Sequence, residues 1–222
     1  MTFFLEKDEE VMKKYIESIT KLNQLTLASK PDEIDRYAEA DIFWSQNKSG
    51  TYVNRKIKKG DIFQFEFGKN YIPEMSYEHR GLVIGISGRL LYVLPIFSYQ
   101  SSKFTSDPPC HITDNPNSKS DYYLLKKSEF SFLQHDSVIK LNDIRTVSAL
   151  RIKYSHSSRI APTSDVYQYI ENCVITKYFG SFAYTYQQML NDNQQLKEEN
   201  ERLKLEINAL KKAKNLTINC SI

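Results

Sequence analysis

Two apolar runs separated by a short turn constrain the fold of this chain more than any other feature. The runs "GLVIGIS" and "RLLYVLPIF" are almost wholly apolar, which is typical of strands that are buried on both faces of a sheet. Ser87 and Gly88 lie between them and provide a hairpin signal. The pattern therefore predicts an antiparallel β-hairpin, which places Arg80, before the first run, near the same end as Ser98, after the second.

The remainder of the middle region continues the strand pattern. The segment "DIFQFEFG" alternates apolar and polar residues as a half-buried strand does, and "YYLLKK" and "SVIKL" resume the pattern further along. A long polar stretch broken by Pro108, Pro109 and Pro116 precedes them and predicts a loop. Short strands at this spacing, with few helices between them, predict a small, strongly curved β-barrel over residues 57–160.

Helical patterns flank this region on both sides. In residues 1–56, "EEVMKKYIESITKLNQL" carries apolar residues at helical spacing, and a proline suits the first turn of a second helix. Residues 161–180 predict a further helix, capped by Thr163 or Ser164 and ended by Gly180. We therefore expect an α+β fold in which the barrel lies between N-terminal helices and a C-terminal helix.

Residues 181–214 contain an apolar heptad repeat and predict a coiled coil, which a tail at residues 215–222 follows. The repeat places two asparagines at a positions, and asparagine at a favours a parallel dimer in fixed register. The predicted dimerisation residues are Met189, Asn193, Leu196, Asn200, Leu203, Ile207 and Leu210. The alternative is a single amphipathic helix packed on the same chain. A basic leucine zipper is excluded because no basic helix precedes the heptads.

Charge and cysteine content exclude several classes of protein. The chain has 30 basic and 27 acidic residues and a net charge of +3, so any contact with nucleic acid depends on local clusters. Cys110, Cys173 and Cys220 form no CxxC pair, which argues against a zinc site and indicates free thiols in a reducing compartment. No apolar run is long enough to span a membrane, and the N-terminus lacks the apolar core of a signal peptide. We therefore predict a cytoplasmic protein without cofactor or metal.

Four segments, taken in order, carry a resemblance to a known family. They are "KKGDIFQFEFG" (58–68), "EMSYEHRGLVIGIS" (74–87), "LYVLPIFS" (91–98) and "LQHDSVIKLNDIRTVSALRI" (133–152). Together they resemble the MazF/PemK family, the toxins of type II toxin–antitoxin systems, over about residues 57–153. The last segment is the closest match, because it reproduces the family's Asp-Ser-x-hydrophobic and Ile-Arg-Thr pattern.

The resemblance implies a small SH3-like β-barrel with a C-terminal helix, which forms a symmetric dimer and cleaves single-stranded RNA without a metal ion. It also implies a cognate antitoxin protein as a partner. The family's catalytic arginine falls on Arg80, and its catalytic threonine or serine falls on Ser98. The chain departs from the family in two places. Gly81 replaces a common proline, and the acidic residue before the arginine is displaced to Glu74 or Glu78.

The chemistry of RNA cleavage by the 2′-hydroxyl suits these residues. Arg80 offers a planar fork of donors to the charged phosphorane, and Ser98 offers a hydroxyl to the same oxygens. His79 is a candidate for proton transfer because histidine titrates near neutral pH, but adjacent strand residues point to opposite faces. Without the resemblance, Arg80 reads as an exposed arginine at a strand end and Ser98 as a cap of the following turn.

Basic and aromatic residues gather near the proposed site, a combination that suits phosphate attraction and base stacking by single-stranded RNA. Solvated lysines beside core aromatic residues give the same pattern. The residues predicted to contact RNA are Lys58, Lys59, Lys69, Tyr71, Tyr77, Arg89, Tyr99 and Lys103. The sequence therefore predicts an endoribonuclease toxin. The alternative is a barrel without catalysis, which the coiled coil dimerises and which binds a partner protein or nucleic acid.

Overall fold

The structure, a computed structural model, describes residues 9–50, 56–104, 111–112 and 120–219. Cys110, Cys220 and the three prolines of the predicted long loop lie outside these residues. The chain divides into two units, one up to Glu171 and one from Asn172 onward. None of the described helices is both long enough and apolar enough to cross a membrane.

Two helices precede the strands. α1 spans Glu9–Leu27 and α2 spans Pro31–Asn47, so both predicted helices are confirmed. Pro31 is the first residue of α2, where its missing N–H costs no hydrogen bond. Acidic residues occupy the first turn of each helix, where they complement the helix dipole. α2 packs on the strand region through Tyr37, whose ring meets that of Tyr77 edge-on at 5.4 Å between centroids.

Seven antiparallel strands form one sheet in the part of the chain that the structure describes. They are β1 (Asp61–Glu66), β2 (Glu78–Ser87), β3 (Leu90–Ser98), β4 (Tyr122–Leu125), β5 (Ser137–Lys140), β6 (Arg145–Ser148) and β7 (Ile152–Arg159). Their order is β4-β5-β3-β2-β1-β7, and β6 pairs with the first half of β3. The predicted hairpin is confirmed, because β2 and β3 pair around a turn in which Gly88 has a φ of 60°, a value that favours glycine.

The sheet is open, whereas the sequence predicts a barrel. β4 and β7 are the outermost strands, and no pairing joins them among the described residues. β4 is only four residues long, so it offers little backbone for a closing ladder. β7 pairs with β1 through two register shifts, the first between Ile62 and Phe63 and the second between Gln64 and Phe65. Such bulges interrupt the hydrogen-bond ladder between β1 and β7, and they increase the twist of β7, the edge strand.

Both faces of the central strands are buried, as their apolar sequences predict. One face carries a cluster formed chiefly by alternate residues of β1, β2 and β3. Its members are Phe63, Phe65, Phe67, Val83, Leu91, Val93, Val147, Ala149 and Ile152. On the other face, Ile62, Leu82 and Leu94 are almost fully buried as well. Burying each large apolar side chain contributes about 1.5–3 kcal/mol, so this core fixes the strand register that positions the candidate site.

α3 (Asp165–Tyr178) follows the sheet. Ser164 caps this helix, because its hydroxyl oxygen accepts the Tyr167 N–H at 3.3 Å, and one of the two predicted caps is thus confirmed. The Tyr167 hydroxyl donates to the Ile84 carbonyl at 3.2 Å. This hydrogen bond attaches the start of α3 to β2.

α4 (Gly180–Asn219) is one helix of 40 residues that includes the whole predicted heptad repeat. α3 ends at Tyr178, and Gly180 begins α4 rather than ending the helix before it. α4 also continues beyond residue 214, where the sequence analysis placed the start of a tail. Pairing of α4 with another helix stays a prediction.

Candidate functional site

Arg80 lies in β2, near the centre of the sheet. It pairs with Gln64 of β1 on one side and with Ile96 of β3 on the other. Among the described residues its guanidinium has no hydrogen-bond or ion-pair partner, although the side chain is only partly exposed. An arginine without a carboxylate partner keeps its donors available to an anionic ligand, and their planar fork matches the oxygens of a phosphate.

Ser98 is the last residue of β3 and lies on the same face of the sheet as Arg80. It follows Ile96, the partner of Arg80, by two residues, so both side chains point to one face. Diagonal neighbours of this kind are about 7–8 Å apart between Cα atoms, close enough for both side chains to reach one phosphodiester. The strand register thus brings together the two residues on which the predicted site is centred.

His135 adds a third group to this face. It precedes β5, whose first residue, Ser137, pairs with Ser98. The His135 Nε2 atom lies 2.6 Å from Ser98 Oγ, and both side chains are exposed. In the neutral tautomer that carries its proton on Nδ1, Nε2 accepts the hydroxyl hydrogen.

The sequence pattern does not link His135 to Ser98, because 37 residues separate them. A signal was nevertheless present. The histidine stands just before a predicted strand, in the segment that most closely resembles the MazF/PemK family. A histidine next to a strand terminus is a candidate for proton transfer when a candidate serine lies on the neighbouring strand.

Glu78, one of the two candidates for the displaced acid, begins β2. Its carboxylate binds the Lys153 ammonium group and accepts a hydrogen bond from the Tyr154 hydroxyl at 3.3 Å. Lys153 therefore compensates the charge of Glu78. These contacts hold the carboxylate in place, and it forms no ion pair with the guanidinium of Arg80.

Glu74, the other candidate, belongs to the loop between β1 and β2. It pairs with Arg145 at 3.1 Å, and Arg145 also binds Asp143 at 2.9 Å. Asp143 accepts the Met75 N–H at 2.7 Å. Asp143 and Arg145 come from the segment of closest resemblance, so this segment anchors the loop that leads into Arg80.

His156 of β7 lies on the side of Arg80 away from Ser98. Its Nε2 atom is 2.8 Å from Gln64 Oε1, and because an amide oxygen only accepts, the ring donates this hydrogen bond. Burial, and then the positive charge of Arg80, lower the pKa of His156. The ring is therefore neutral near pH 7, and Arg80 supplies the positive charge of this face.

His79 lies on the opposite face of β2. It pairs with Phe65 of the buried cluster, whereas Arg80 pairs with Gln64. Burial, and then the nearby charge of Arg36, lower the pKa of His79. The structure does not bring His79 to the face of Arg80, because adjacent residues of a strand alternate between faces. His135, which contacts Ser98, lies where the sequence predicts His79 as the proton-transfer group.

Two of the residues predicted to contact RNA follow Ser98 directly. Tyr99 stacks on Phe104 with 5.4 Å between ring centroids, and its N–H donates to the Asp136 carbonyl at 3.0 Å. Lys103 ends the short 3-10 helix Ser101–Lys103. The backbone of this segment continues directly from the strand end that carries Ser98.

Three predicted RNA contacts lie away from Arg80. Lys58 and Lys59 precede β1, where the next residue, Gly60, donates its N–H to the Val83 carbonyl at 2.7 Å. Arg89 lies in the turn between β2 and β3, at the opposite end of the hairpin from Arg80. These three basic side chains are exposed and do not converge on the candidate site.

The remaining predicted RNA contacts lie around the loop between β1 and β2. The Lys69 ammonium group binds Asp41 of α2 at 2.7 Å. Tyr71 is 87% exposed and offers a free aromatic face. Tyr77 packs against Tyr37 of α2. Of this group, Tyr71 is the side chain with the greatest access to a base.

Gly81 stands where the family commonly has proline, and packing explains the departure. A Cβ atom at this position would lie 2.3 Å from Val93 Cγ1 and 2.8 Å from Phe65 Cδ2. A larger side chain would displace residues of the buried cluster. The glycine therefore reflects close packing of β2 beneath the candidate site.

No known family model matches the sequence, and no curated protein is significantly similar to it. In the described part of the chain, no group of three or more His, Cys, Asp or Glu side chains could hold a metal ion.

Proposed function

We propose that this chain is a cytoplasmic toxin of a type II toxin–antitoxin system and that it cleaves single-stranded RNA without a metal ion. One observation carries the proposal. The Ser98 hydroxyl is hydrogen-bonded to His135. On the same face, the Arg80 guanidinium has no hydrogen-bond or ion-pair partner among the described residues. A proton acceptor, a hydroxyl and a guanidinium suit 2′-hydroxyl attack on a phosphodiester. The ordered resemblance of four segments to the MazF/PemK family supports the same activity.

The reaction begins with removal of the proton from the 2′-hydroxyl. Ser98 gives its proton to Nε2 of His135 and takes the 2′ proton in return, so the pair acts as one base. The 2′-oxygen bonds to phosphorus, and negative charge develops on the non-bridging oxygens. Arg80 donates hydrogen bonds to these oxygens and stabilises the phosphorane.

The second step breaks the bond between phosphorus and the 5′-oxygen. In-line displacement places the departing oxygen opposite the 2′-oxygen and therefore away from His135. Water supplies its proton, since the site is open to solvent, and His135 releases the proton that it accepted. The products are a 2′,3′-cyclic phosphate and a 5′-hydroxyl, and neither a cofactor nor a metal is consumed.

The SH3-like fold and the antitoxin partner follow from the same resemblance to the MazF/PemK family. The sheet is an open variant of the SH3-like barrel, in which β5 and β6 pair with successive parts of one edge of β3. A cognate antitoxin covers the face of Arg80 and Ser98 and so excludes RNA.

Cleavage of a long single-stranded RNA in the presence of EDTA tests this function. We expect discrete cuts that leave cyclic phosphate ends. Arg80→Ala should lower the rate about 10²–10³-fold, because it removes the donors at the developing charge. His135→Ala should lower it about 10²–10⁴-fold, because it removes the proton acceptor. Arg89→Ala is the matched control, since this arginine lies at the far end of the same hairpin, and it should cut at the original rate.

Intact RNA after incubation with folded protein would contradict the ribonuclease proposal. Retention of the same RNA in a mobility-shift assay would then favour the second candidate, a binding barrel without catalysis. An equal loss of rate in Arg80→Ala and Arg89→Ala would contradict the assignment of Arg80. Circular dichroism of each variant establishes that it is folded.

A further inference from the structure

α4 carries an apolar stripe that is longer than the predicted heptad repeat. Extending the repeat toward the start of the helix puts Phe182 at a d position and Tyr186 at an a position, and their rings stack with 6.2 Å between centroids. The a and d positions thus form one line along the helix that ends at Leu210. Asn193 and Asn200 are its polar members.

The apolar residues of this stripe are exposed to solvent. Their exposed fractions range from 43% for Leu203 to 64% for Leu210. The residues are Phe182, Tyr186, Met189, Leu196, Leu203, Ile207 and Leu210. An apolar stripe of this length is what a helix buries when it packs against a partner helix.

The residues beside the stripe carry opposite charges on its two sides. The g positions are Asp192, Glu199 and Glu206, and the e positions are Lys197, Lys204 and Lys211. In a parallel two-stranded coiled coil, each g residue faces the e residue of the next heptad on the other helix. Two copies of α4 therefore place every one of these acids opposite a lysine.

Antiparallel pairing would place like charges together. In that orientation g faces g and e faces e, so acids would meet acids and lysines would meet lysines. The asparagines favour the same orientation as the charges. Each asparagine faces the same asparagine of the second helix only when the two helices are parallel and in register.

We propose that α4 pairs with α4 of a second copy of this chain in a parallel, in-register, two-stranded coiled coil. The pairing covers the exposed stripe and aligns the two Asn200 side chains at its centre. A second copy supplies the required charge pattern, since every g acid has an e lysine one heptad later. The inference does not rest on RNA cleavage, and each can fail without the other.

Some of the flanking charges have partners within α4. Lys204 binds Glu201 at 2.7 Å, and Glu199 approaches Arg202 at 3.6 Å. These pairs are largely exposed, and exposed pairs contribute little to stability. The side chains can therefore exchange them for partners on a second helix.

Disulfide trapping in the full chain tests the orientation and register. Asn200→Cys puts a thiol at an a position, where the copies approach closely enough for a disulfide, whereas Glu198→Cys puts it at an outer f position. Both variants carry Cys220→Ser, so the terminal cysteine does not contribute. Under mild oxidation we expect Asn200→Cys to form a covalent dimer several-fold faster than Glu198→Cys.

Charge exchange tests whether the partner is a second copy. One variant makes both flanks acidic, and the other makes both flanks basic. They are K197E/K204E/K211E and D192K/E199K/E206K. At low ionic strength we expect each variant alone to self-associate at least about a hundredfold more weakly than the original chain, and an equimolar mixture to regain the original affinity. Sedimentation equilibrium measures both quantities.

Three outcomes would overturn the proposal. Equal crosslinking of Asn200→Cys and Glu198→Cys would show that the a positions do not face one another. Charge variants that each self-associate as tightly as the original chain would assign self-association to a different surface. An original chain that stays monomeric at every concentration in the sedimentation experiment would show that a second copy is not the partner.

Discussion

At the scale of single residues, the candidate site combines side chains fixed by ion pairs or hydrogen bonds with one side chain that has no such partner among the described residues. Glu78 and Arg145 are fixed by ion pairs, and His135 is fixed by its hydrogen bond to Ser98. Arg80 has no such partner among the described residues, although it is partly buried. A partly buried charge without a partner opposes folding, and an anionic ligand removes that cost when it binds. This free energy favours binding of a phosphate at Arg80.

The close packing beneath Arg80 gives the first prediction. Gly81→Ala should lower the free energy of unfolding by about 1–3 kcal/mol, because the added Cβ overlaps Val93 and Phe65. Urea titration followed by circular dichroism measures the loss. Gly88→Asn is the control, since the space around Gly88 is open and asparagine tolerates its φ of 60°. An unchanged urea midpoint for Gly81→Ala would contradict the packing of β2 against β3.

The partly buried imidazole of His79 predicts a dependence of stability on pH. Burial and the charge of Arg36 lower its pKa in the folded chain, so the unfolded chain binds more protons as the solution becomes acidic. Above about pH 6.5, the ordinary pKa of histidine, the ring is neutral in both states and its contribution is fully present. Stability should then fall as the pH drops from about 6.5 toward the folded-state pKa.

His79→Gln isolates this contribution. The variant should flatten the change in urea midpoint between about pH 7.5 and pH 5.5, because glutamine does not titrate. His156, whose pKa is lowered by burial and by Arg80, should account for part of the remaining slope, so adding His156→Gln should flatten it further. If His79→Gln and the original chain lose the same stability over this range, His79 is not the group responsible.

At the scale of elements, periodicity predicted the structures that depend on neighbouring residues. α1, α2 and the β2–β3 hairpin follow from apolar spacing and turn residues, and the hairpin alone placed Arg80 near Ser98. His79 was chosen because it adjoins Arg80 in sequence, and the alternation of strand faces separates the two. The contact of His135 with Ser98 depends on β5 lying beside β3, which no local pattern encodes.

Whether the sheet closes into a barrel also depends on contacts between distant strands, so the sequence pattern does not determine it. Short, regularly spaced strands predict a barrel, but closure depends on the register of the edge strands. β7 reads "IKYSHSSR", a mostly polar stretch without clear alternation, and this strand carries the two register shifts. Bulges of this kind leave no distinct signal in a single sequence, so the open edge could be found only in the structure.

At the scale of the whole molecule, the two units differ in what can stabilise them. The unit that ends at Glu171 contains the buried apolar cluster and needs no second chain to remove it from water. α4 exposes its apolar stripe, and most helices in proteins gain their stability by packing such a face. If a second copy supplies that packing, the stability of α4 must depend on the concentration of the chain.

We therefore expect two melting transitions in the far-ultraviolet circular dichroism of the full chain. The midpoint for the sheet should be independent of chain concentration, whereas the midpoint for α4 should rise with concentration by mass action. Leu203→Ala should lower the α4 midpoint, because loss of a buried leucine costs about 2–5 kcal/mol. Leu205→Ala, at an outer position two residues away, should leave it unchanged. A single transition that does not respond to concentration would mean that α4 is stable unpaired, and its exposed stripe would then need another explanation.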